Sequence, residues 1–392
     1  MKITYVIHRY GVEIYGGAEL ACRMFAERLA AQPGWSVEVL TSCAFDAVTW
    51  DNHYEPGDSV VNGVTLRRFS VESGRHADFG DFSSRVLASP TLASPDDAER
   101  WVHMQGPVSP GLIEAAVSSD ADLVVFSPYL YHPTVQGLPR LRERAVMHPA
   151  AHDEPAIRLS IFREPFEATR GFWFYSQEER RLVERLFPIA ERPQVVGGLG
   201  VDSGEGDPYA FRKQAGLDDR PYLVCLGRVD DTKGTGALAR MFLAYKQRNP
   251  GPLALVFVGP VIHQPVTSAD IVLTGPVDEA SKWGALRGSL ALVSPSAFES
   301  FSLVAMEAWG VGVPVVVNQL CATTREHCEE SGGGLWFDGY ASFEVVIDRL
   351  TLDDKLRAHL AAAGSRYVDM RYRWPVVVER YCRFLEGVAE RC

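Results

Sequence analysis

Strand-like and helix-like segments alternate along most of this chain, and that alternation restricts its fold more than any other feature. The apolar run at 3–7 is followed by a helical pattern at 18–31 and then by a strand-like run at 37–41. Pro33 and Gly34 stand between that helix and the second strand, where they stop the helix. A strand, a helix and a second strand in this order are typical of a parallel sheet covered by helices. The first half of the chain is therefore predicted to be α/β, with further strands at 64–69, 122–127, 144–148, 171–176 and 193–200.

The same alternation starts again after a polar segment at 203–208, SGEGDP, which holds two Gly, one Pro and two acidic residues. Such a composition predicts a linker. We therefore predict two Rossmann-like domains, at 1–203 and 207–372. The tail at 373–392 has an amphipathic helical pattern after Pro375, and we expect this helix to pack back on the first domain. In the second half the predicted strands are 221–227, 253–259, 270–275, 290–296 and 314–318, and the predicted helices are 237–248, 278–289 and 302–312.

Charge and composition exclude several classes of protein. The chain has 39 Lys and Arg against 50 Asp and Glu, a net charge of -11, which is the wrong sign for binding nucleic acid through its phosphates. The seven cysteines form no CxxC pair, so neither a disulfide framework nor a zinc site is expected, and a cytoplasmic location fits best. The longest uncharged run, at 308–324, has 17 residues and contains Gly, Pro, Asn and Gln, so we expect no transmembrane segment.

The segment at 290–317 carries the most chemical information. Its predicted strand ends near Ser296, a loop holds Glu299, and a helix begins near Ser302. Amides at the helix start, those of Phe301, Ser302 and Leu303, are suited to binding a phosphate. Glu307 lies about 7.5 Å further along the helix axis, a span suited to a ribose diol. The alternative is that both glutamates are solvated surface acids.

A second group of candidate residues follows the first strand of the second half. Arg228 and Lys233 lie in a turn that is bounded by Gly227 and Gly234, and two cations in such a place can hold a diphosphate. The segment is not a P-loop, because Thr232 and Gly234 stand where that motif needs Gly and a hydroxyl. The alternative is a pair of surface ion pairs with Asp230 and Asp231.

The first half offers weaker candidates. Gly16 and Gly17 lie between a strand and a helix, where backbone can approach a ligand closely, although they do not form a dinucleotide motif. His152 follows the strand-like run at 144–148, at the end of the strand where ligands collect in parallel sheets. The alternative for His152 is a loop histidine bonded to backbone.

Other histidines and one acidic pair are poorer candidates. His8, His132 and His148 suit a catalytic role less well than His152. Asp120 and Asp122 have the DxD spacing of some metal sites, but they precede a strand instead of following one, so they are predicted to form a polar loop. No metal site and no bound cofactor are therefore expected.

Several motifs resemble those of retaining nucleotide-sugar glycosyltransferases with the GT-B fold, the bacterial family 4 or group 1 transferases. The motifs GGAE, HDEP, GLGVD, GRVDDTKG and two glutamates eight residues apart around SFSLVAM occur in that family's order. The resemblance extends from Gly16 to the C-terminal helix and is most specific between Gly227 and Pro314. It implies an α/β fold with two Rossmann-like domains that face each other across a cleft. One departure is Ser300, where the family commonly has Gly, and this change would narrow the sugar pocket.

The resemblance also implies roles for the candidate residues. Arg228 and Lys233 would bind the donor diphosphate, and Glu307 would bind the ribose. Glu299 and the amides that follow it would bind the transferred sugar and phosphate. The full predicted set is His152, Arg228, Lys233 and Glu299 as catalytic residues, with Gly16, Gly17, Arg228, Lys233, Val277, Glu299, Phe301, Ser302, Leu303 and Glu307 for donor binding.

The implied reaction moves a sugar from a nucleoside diphosphate, UDP in preference to GDP, to a hydroxyl acceptor with retention of configuration and without a metal. The acceptor, whether glycan, lipid-linked molecule or small molecule, cannot be deduced from these residues, and peripheral membrane contact stays open. Two alternatives share the fold: a GT-B isomerase or phosphorylase, and a nucleotide-sugar-binding protein without activity.

Overall fold

The computed structural model describes residues 1–14 and 16–390, and the chain divides into two compact units. The first unit contains residues 1–198 and the chain from 378 onward, and the second contains 199–377. Positions 391 and 392 of the predicted tail lie outside the described residues. The chain passes from one unit to the other after residues 198 and 377, each about five residues from the predicted domain ends at 203 and 372.

The first unit is built on an eight-stranded sheet with the order β3-β4-β2-β1-β5-β6-β7-β8. Its strands pair in parallel except for the edge hairpin of β3 and β4. The strands are β1 (Lys2–Ile7), β2 (Ser36–Ser42), β3 (Gly57–Val61), β4 (Val64–Phe69), β5 (Leu123–Ser127), β6 (Ala145–Met147), β7 (Gly171–Phe174) and β8 (Gln194–Val196).

The edge strand β3 was not predicted from the sequence. All of its residues except Val61 are exposed, so it lacks the apolar pattern that marks the buried strands. Its turn is readable, however: Asn62 and Gly63 have φ values of 47° and 83°, and a two-residue hairpin turn with two positive φ angles favours this residue pair.

Helices cover this sheet and enclose a core of apolar side chains. All five residues of β5 are buried, as expected for a central parallel strand covered on both faces. The helices are α1 (Gly17–Ala30), α2 (Phe79–Leu87), α3 (Pro95–Gln105), α4 (Pro110–Val117), α5 (His132–Gly137), α6 (Arg163–Ala168) and α7 (Gln177–Leu186).

The second unit contains a six-stranded parallel sheet with the order β11-β10-β9-β12-β13-β14. Its strands are β9 (Tyr222–Leu226), β10 (Ala254–Val258), β11 (Ile271–Leu273), β12 (Ala291–Ser294), β13 (Val315–Asn318) and β14 (Gly334–Phe337), of which β14 was not predicted. The remaining helices of the chain are α8 (Pro208–Gln214), α9 (Thr235–Arg248), α10 (Glu279–Arg287), α11 (Leu303–Gly310), α12 (Ala322–Ser331), α13 (Tyr340–Leu352), α14 (Asp354–Arg371) and α15 (Trp374–Ala389).

The predicted return of the C-terminal helix to the first domain is confirmed. In α15, the Tyr381 hydroxyl lies 3.0 Å from Nε2 of His148 and accepts a hydrogen bond of 2.9 Å from the hydroxyl of Tyr5. All three side chains are fully buried. The aromatic side of the amphipathic pattern therefore packs on β1 and β6.

The segment at 203–208 belongs to the second unit and is not the link between the units. A Cβ atom on Gly204 would lie 1.8 Å from Nε1 of Trp283, and one on Gly206 would lie 2.2 Å from the backbone N of Gly284. Its glycines therefore allow the backbone to pack directly on α10. Composition alone cannot separate this packing role from the flexibility of a linker.

The α/β fold with two Rossmann-like domains is confirmed, and each sheet has one point at which strand addition reverses direction. In the first unit this point lies between β1 and β5, and in the second it lies between β9 and β12. Ligands in open parallel sheets bind outside the carboxyl ends of the strands at such points. Among the helices of the described chain, none combines the length and apolar character needed to span a membrane.

Candidate functional site

The strand order brings two of the sequence-predicted segments to one edge of the second sheet. Strands β9 and β12 pair in parallel, so the loop with Arg228 and Lys233 and the loop with Glu299 both leave the carboxyl edge at the reversal point. These residues lie far apart in sequence, and they meet because their strands are neighbours.

Asp230 organises the loop after β9. It is 5% exposed, and its carboxylate accepts hydrogen bonds from the Thr232 hydroxyl at 2.6 Å and from the backbone N of Lys233 at 2.8 Å. Nε of Arg228 also donates to this carboxylate. Burial alone would raise the pKa of Asp230, but these donors outweigh it and the pKa is lowered. Asp230 therefore stays ionised and orients the loop and its arginine.

Lys233 and Glu299 connect the two loops. Nζ of Lys233 lies 2.7 Å from Oε1 of Glu299, and both side chains are partly exposed. Arg228 therefore pairs with Asp230, as expected if it formed a surface ion pair. Lys233 pairs instead with Glu299, which the sequence analysis placed in the same candidate site. A diphosphate that binds Lys233 would have to share it with Glu299 or displace that carboxylate.

The start of α11 has an unusual backbone conformation. Ser302, its N-cap residue, has a φ of 68° and is in the left-handed region, where non-glycine residues are strained. The Ser302 side chain is buried, and its Oγ has no hydrogen-bond partner within the described chain. The neighbouring Phe301 ring packs edge-on against His327 and Tyr372, at centroid distances of 5.5 and 5.2 Å. This aromatic packing therefore fixes the turn in which Ser302 adopts its strained conformation.

Glu307 is neither solvated nor isolated. It is 8% exposed, and its Oε1 lies 3.0 Å from Nζ of Lys282, which also pairs with Glu279 at 2.8 Å. Burial raises the pKa of Glu307 although Lys282 opposes that shift, while the two carboxylates raise the pKa of Lys282 against the effect of its burial. Sequence reasoning missed Lys282, because it lies on α10 with no motif around it. Val277, the remaining predicted donor contact, is half-buried in the loop before α10.

Gly16 and Gly17 have different local surroundings at the start of α1. A Cβ atom on Gly16 would lie 2.1 Å from Oε2 of Glu19, whereas a Cβ on Gly17 would meet nothing within 4 Å. Glu19 is buried, and its Oε1 lies 2.9 Å from Nε2 of His8 and 2.5 Å from Nε of Arg9. Gly16 is thus needed for the packing of Glu19, and contact of Gly17 with a ligand stays a prediction.

His152 lies in the loop after β6, and its ring faces Glu154. Nε2 of His152 is 3.6 Å from Oε2 of Glu154, and about a third of the side chain is exposed (35%). Asp153, the neighbour expected to hold this ring, pairs instead with Arg158 at 2.5 Å. Glu154, and not Asp153, is therefore the carboxylate that lies beside the His152 ring, because Asp153 pairs with Arg158.

Glu179 holds the backbone of this loop, and sequence reasoning missed it. The side chain is 2% exposed, and its oxygens accept from the backbone N of Ala151 at 2.8 Å and of Tyr175 at 2.6 Å. Burial raises the pKa of Glu179 to about 8, against the effect of backbone donors. The available signal was the S-x-x-E pattern at 176–179, which marks a helix start and here also ties that start to the loop before His152.

Three of the poorer candidates, His148, Asp120 and Asp122, have structural partners. His148 is fully buried among aromatic rings, and burial lowers its pKa to about 3. Asp120 pairs with the side chain of Lys2, and Asp122 accepts from the backbone N of Lys2 at 2.7 Å. The predicted polar loop at 120–122 therefore ties down the start of β1.

Comparison with known proteins identifies part of the second unit. Residues 220–351 match the family model described as glycosyl transferases group 1. This segment of the second unit is similar to that family. It contains β9 to β14, with Arg228, Lys233, Lys282, Glu299 and Glu307.

Relatives and solved structures extend the likeness beyond that segment. The chain is 27% identical over 253 residues to a GDP-mannose-dependent alpha-(1-6)-phosphatidylinositol monomannoside mannosyltransferase of Mycobacterium tuberculosis, a match that covers 59% of this chain and 65% of the relative, less than two thirds of its length. It is similar in structure to sucrose-phosphate synthase from Thermosynechococcus elongatus, with a TM-score of 0.73, 16% identity and full coverage of both chains. It is also similar to Anabaena HepE in complex with UDP and glucose, with a TM-score of 0.70, 15% identity and coverage of 99% and 100%. These two likenesses show the fold.

Proposed function

We propose that this protein is a glycosyltransferase that moves a sugar from a nucleoside diphosphate to a hydroxyl acceptor. The observation that carries the proposal is the convergence of Arg228, Lys233 and Glu299 at the carboxyl edge of β9 and β12, inside the segment that is similar to glycosyl transferases group 1. Two cations at a reversal point match the charge of a diphosphate. The similarity to that family supports a sugar nucleotide as its source.

The chemistry requires stabilisation of charge on the leaving group. The acceptor hydroxyl oxygen forms a bond to the anomeric carbon as the bond from that carbon to the diphosphate oxygen breaks, and the hydroxyl proton leaves with the diphosphate. Arg228 and Lys233 would meet the negative charge that develops on the leaving diphosphate, and positioned charges of this kind lower a barrier without further reorganisation. We propose that transfer proceeds with retention and without a metal, and that His152, oriented by Glu154, acts on the transferred sugar.

The similar proteins are named for two different nucleotides, so the assay includes both uracil and guanine nucleotides. The Mycobacterium tuberculosis relative is named for GDP-mannose, whereas Anabaena HepE was solved with UDP. We retain UDP as the proposed nucleotide. A thermal-shift comparison of UDP- and GDP-sugars tests it, because a ligand at 100 times its dissociation constant stabilises a protein by about 2.7 kcal/mol.

Acceptor-dependent release of nucleoside diphosphate tests the transferase proposal. A transferase releases it only when an acceptor is present, and the product carries the sugar. Binding of a sugar nucleotide without release under any acceptor would instead indicate a binding protein, and conversion without an acceptor would indicate an isomerase. Arg248→Ala is a matched control for Arg228→Ala, because Arg248 is an exposed arginine that pairs with Glu344 at the end of α9.

His152→Ala tests the catalytic part separately. We expect turnover to fall about a hundredfold, the scale of a lost acid or base group, while sugar-nucleotide affinity changes little. His76→Ala is the control, since His76 is an exposed loop histidine beside a carboxylate, Asp78. Equal turnover of the two variants would exclude a catalytic role for His152.

A further inference from the structure

The reversal point of the first sheet has its own cluster of polar and aromatic side chains. His8 follows β1 and Tyr131 follows β5, and their rings lie 4.0 Å apart between centroids. The buried Trp50 ring packs against both, at 5.5 Å from His8 and 5.4 Å from Tyr131. We call these three residues together with Arg75 the Arg75 cluster. None of them belongs to the set assigned above to the donor or to catalysis.

Arg75 is the charged member of this cluster. Its guanidinium carbon lies 5.8 Å from the centroid of Trp50 and 5.1 Å from that of Phe79, and its backbone N donates to the carbonyl of Thr49 at 2.9 Å. The hydrogen bond fixes the backbone at Arg75, and the guanidinium lies over two aromatic rings. An arginine stacked in this way keeps its planar donors free for a ligand.

No carboxylate in the described chain forms an ion pair with Arg75, although part of its side chain is buried. Its Nε is inaccessible to solvent and has no hydrogen-bond partner there, and burial lowers its pKa. The nearby carboxylate of Asp46 is already held by the backbone N atoms of Val48 and Thr49, at 2.6 and 2.8 Å. A buried hydrogen-bond donor without a partner is costly. The neighbouring Arg9 differs, because Glu19 already pairs with it.

His8 supplies a second unused polar atom in the cluster. The side chain is 2% exposed, burial lowers its pKa, and Nε2 faces the carboxylate of Glu19. A neutral ring therefore carries its proton on Nε2, and Nδ1 is left as an acceptor. Nδ1 is buried and has no partner within the described residues. An acceptor of this kind is complementary to a hydroxyl group.

We propose that the Arg75 cluster binds an acceptor that is a polyol carrying an oxyanion, a phosphate monoester or a carboxylate. Arg75 pairs with the oxyanion through its guanidinium, and Nδ1 of His8 accepts from a hydroxyl of the same molecule. Trp50 and Tyr131 give this pairing a surrounding of low polarity, in which a charged hydrogen bond is stronger than in water. The inference rests on the proposed transferase function, because it identifies the class of the second substrate.

Binding of matched ligands to the full chain tests this inference. We would titrate the protein with glucose, glucose 6-phosphate, glucuronic acid and inorganic phosphate, and with myo-inositol and its monophosphate, by calorimetry. We expect at least one charged polyol to bind and its neutral partner to bind at least tenfold more weakly. Comparison of the sugar phosphates with glucuronic acid identifies which oxyanion the cluster binds. Equal affinities for inorganic phosphate and the polyol phosphates would contradict the part of the proposal that concerns the polyol.

Arg75→Gln is the decisive variant, with Arg85→Gln as its matched control. Arg85 also lies over an aromatic ring, that of Phe82 at 5.1 Å, but it lies on α2 and is not part of the cluster. We expect Arg75→Gln to weaken binding of the charged polyol by about tenfold to a hundredfold, the scale of a charge-assisted hydrogen bond, and Arg85→Gln to change nothing. Arg75→Lys keeps the charge but loses the fork, so intermediate binding is expected and also shows that the fold is retained.

The two proposals can fail separately. Equal affinities in wild type and Arg75→Gln, or no binding of any charged probe to the wild type, would overturn the anion site. Sugar transfer to a neutral acceptor that is unaffected by Arg75→Gln would leave the transferase standing and overturn this inference alone. Conversely, charged-polyol binding that depends on Arg75, without any release of nucleoside diphosphate, would leave the anion site standing and overturn the transferase.

Discussion

Lys282→Met should destabilise the second unit by leaving the buried carboxylate of Glu307 without its cation. Nζ of Lys282 lies 3.0 Å from Oε1 of Glu307, whose side chain is only 10% exposed. Nζ of Lys282 also lies 4.6 Å from the centroid of the Trp283 ring. Methionine keeps an unbranched apolar side chain in place of the lysine stem, so the main loss is the charge. Breaking a fully buried pair costs about 3–5 kcal/mol. Because Lys282 is 21% exposed and Glu307 can take up a proton, we expect about 2–3 kcal/mol here.

The loss should depend on pH in a defined direction. Without Lys282, the pKa of Glu307 in the folded state rises further above its unfolded value. A group whose pKa is raised on folding contributes stability at low pH that is lost as the pH increases through the folded value. The difference between wild type and Lys282→Met should therefore be larger at pH 8 than at pH 5.

Urea denaturation of the full chain, followed by hydrogen exchange of α10 and α11, measures this effect in the second unit alone. Lys355→Met is the matched control, because Lys355 is exposed on α14 and the same change there should cost less than about 0.5 kcal/mol. Lys282→Met/Glu307→Gln should recover part of the loss by removing the uncompensated charge. Equal stabilities of the two single variants, or a deficit that does not change with pH, would refute the view that Lys282 stabilises a charged Glu307.

Four further outcomes are expected. Because folding raises the pKa of Glu179 from its ordinary value of 4.5 to about 8, unfolding free energy should fall as pH rises between those values, and Glu179→Gln should flatten that slope in pH-resolved denaturation. Ser302→Gly should raise the unfolding free energy by about 1 kcal/mol by relieving the left-handed strain, and a lower melting temperature would contradict that assignment. Arg228→Ala/Lys233→Ala should lose diphosphate affinity by about 1.5–3 kcal/mol per contact. Its unfolding free energy should change by less than about 1 kcal/mol, since both side chains are partly exposed. Unchanged affinity in calorimetry would show that the diphosphate site is misplaced. Turnover should survive EDTA, and an absolute need for added Mn²⁺ or Mg²⁺ would contradict a charge balance supplied by these two cations.

The order of apolar and amphipathic segments was enough to predict the α/β class, most strands of both sheets and the return of the C-terminal helix. These features depend on local periodicity and on helix stop signals such as Pro33 and Gly34, which act between neighbours in the sequence. The exposed edge strand β3 was missed because it has no buried face to impose a pattern, and β14 was missed as well. The sequence predicts a linker at 203–208, whereas the structure packs this segment on α10, because glycine for close packing and glycine for flexibility are identical in composition.

The partners of the candidate site residues were decided by tertiary structure alone. Lys233 and Glu299 are 66 residues apart in the sequence, and Lys282 and Glu307 are 25 apart. Glu179 is 28 residues from Ala151, the residue before His152 whose backbone it binds. Each pair forms because strand order or helix packing places two loop or helix ends side by side, and no local pattern in the sequence encodes that adjacency. Within the described residues, Arg75 has no carboxylate partner, and this too depends on the fold: an arginine in a loop is ordinary in sequence, and only the fold determines which carboxylates lie out of its reach.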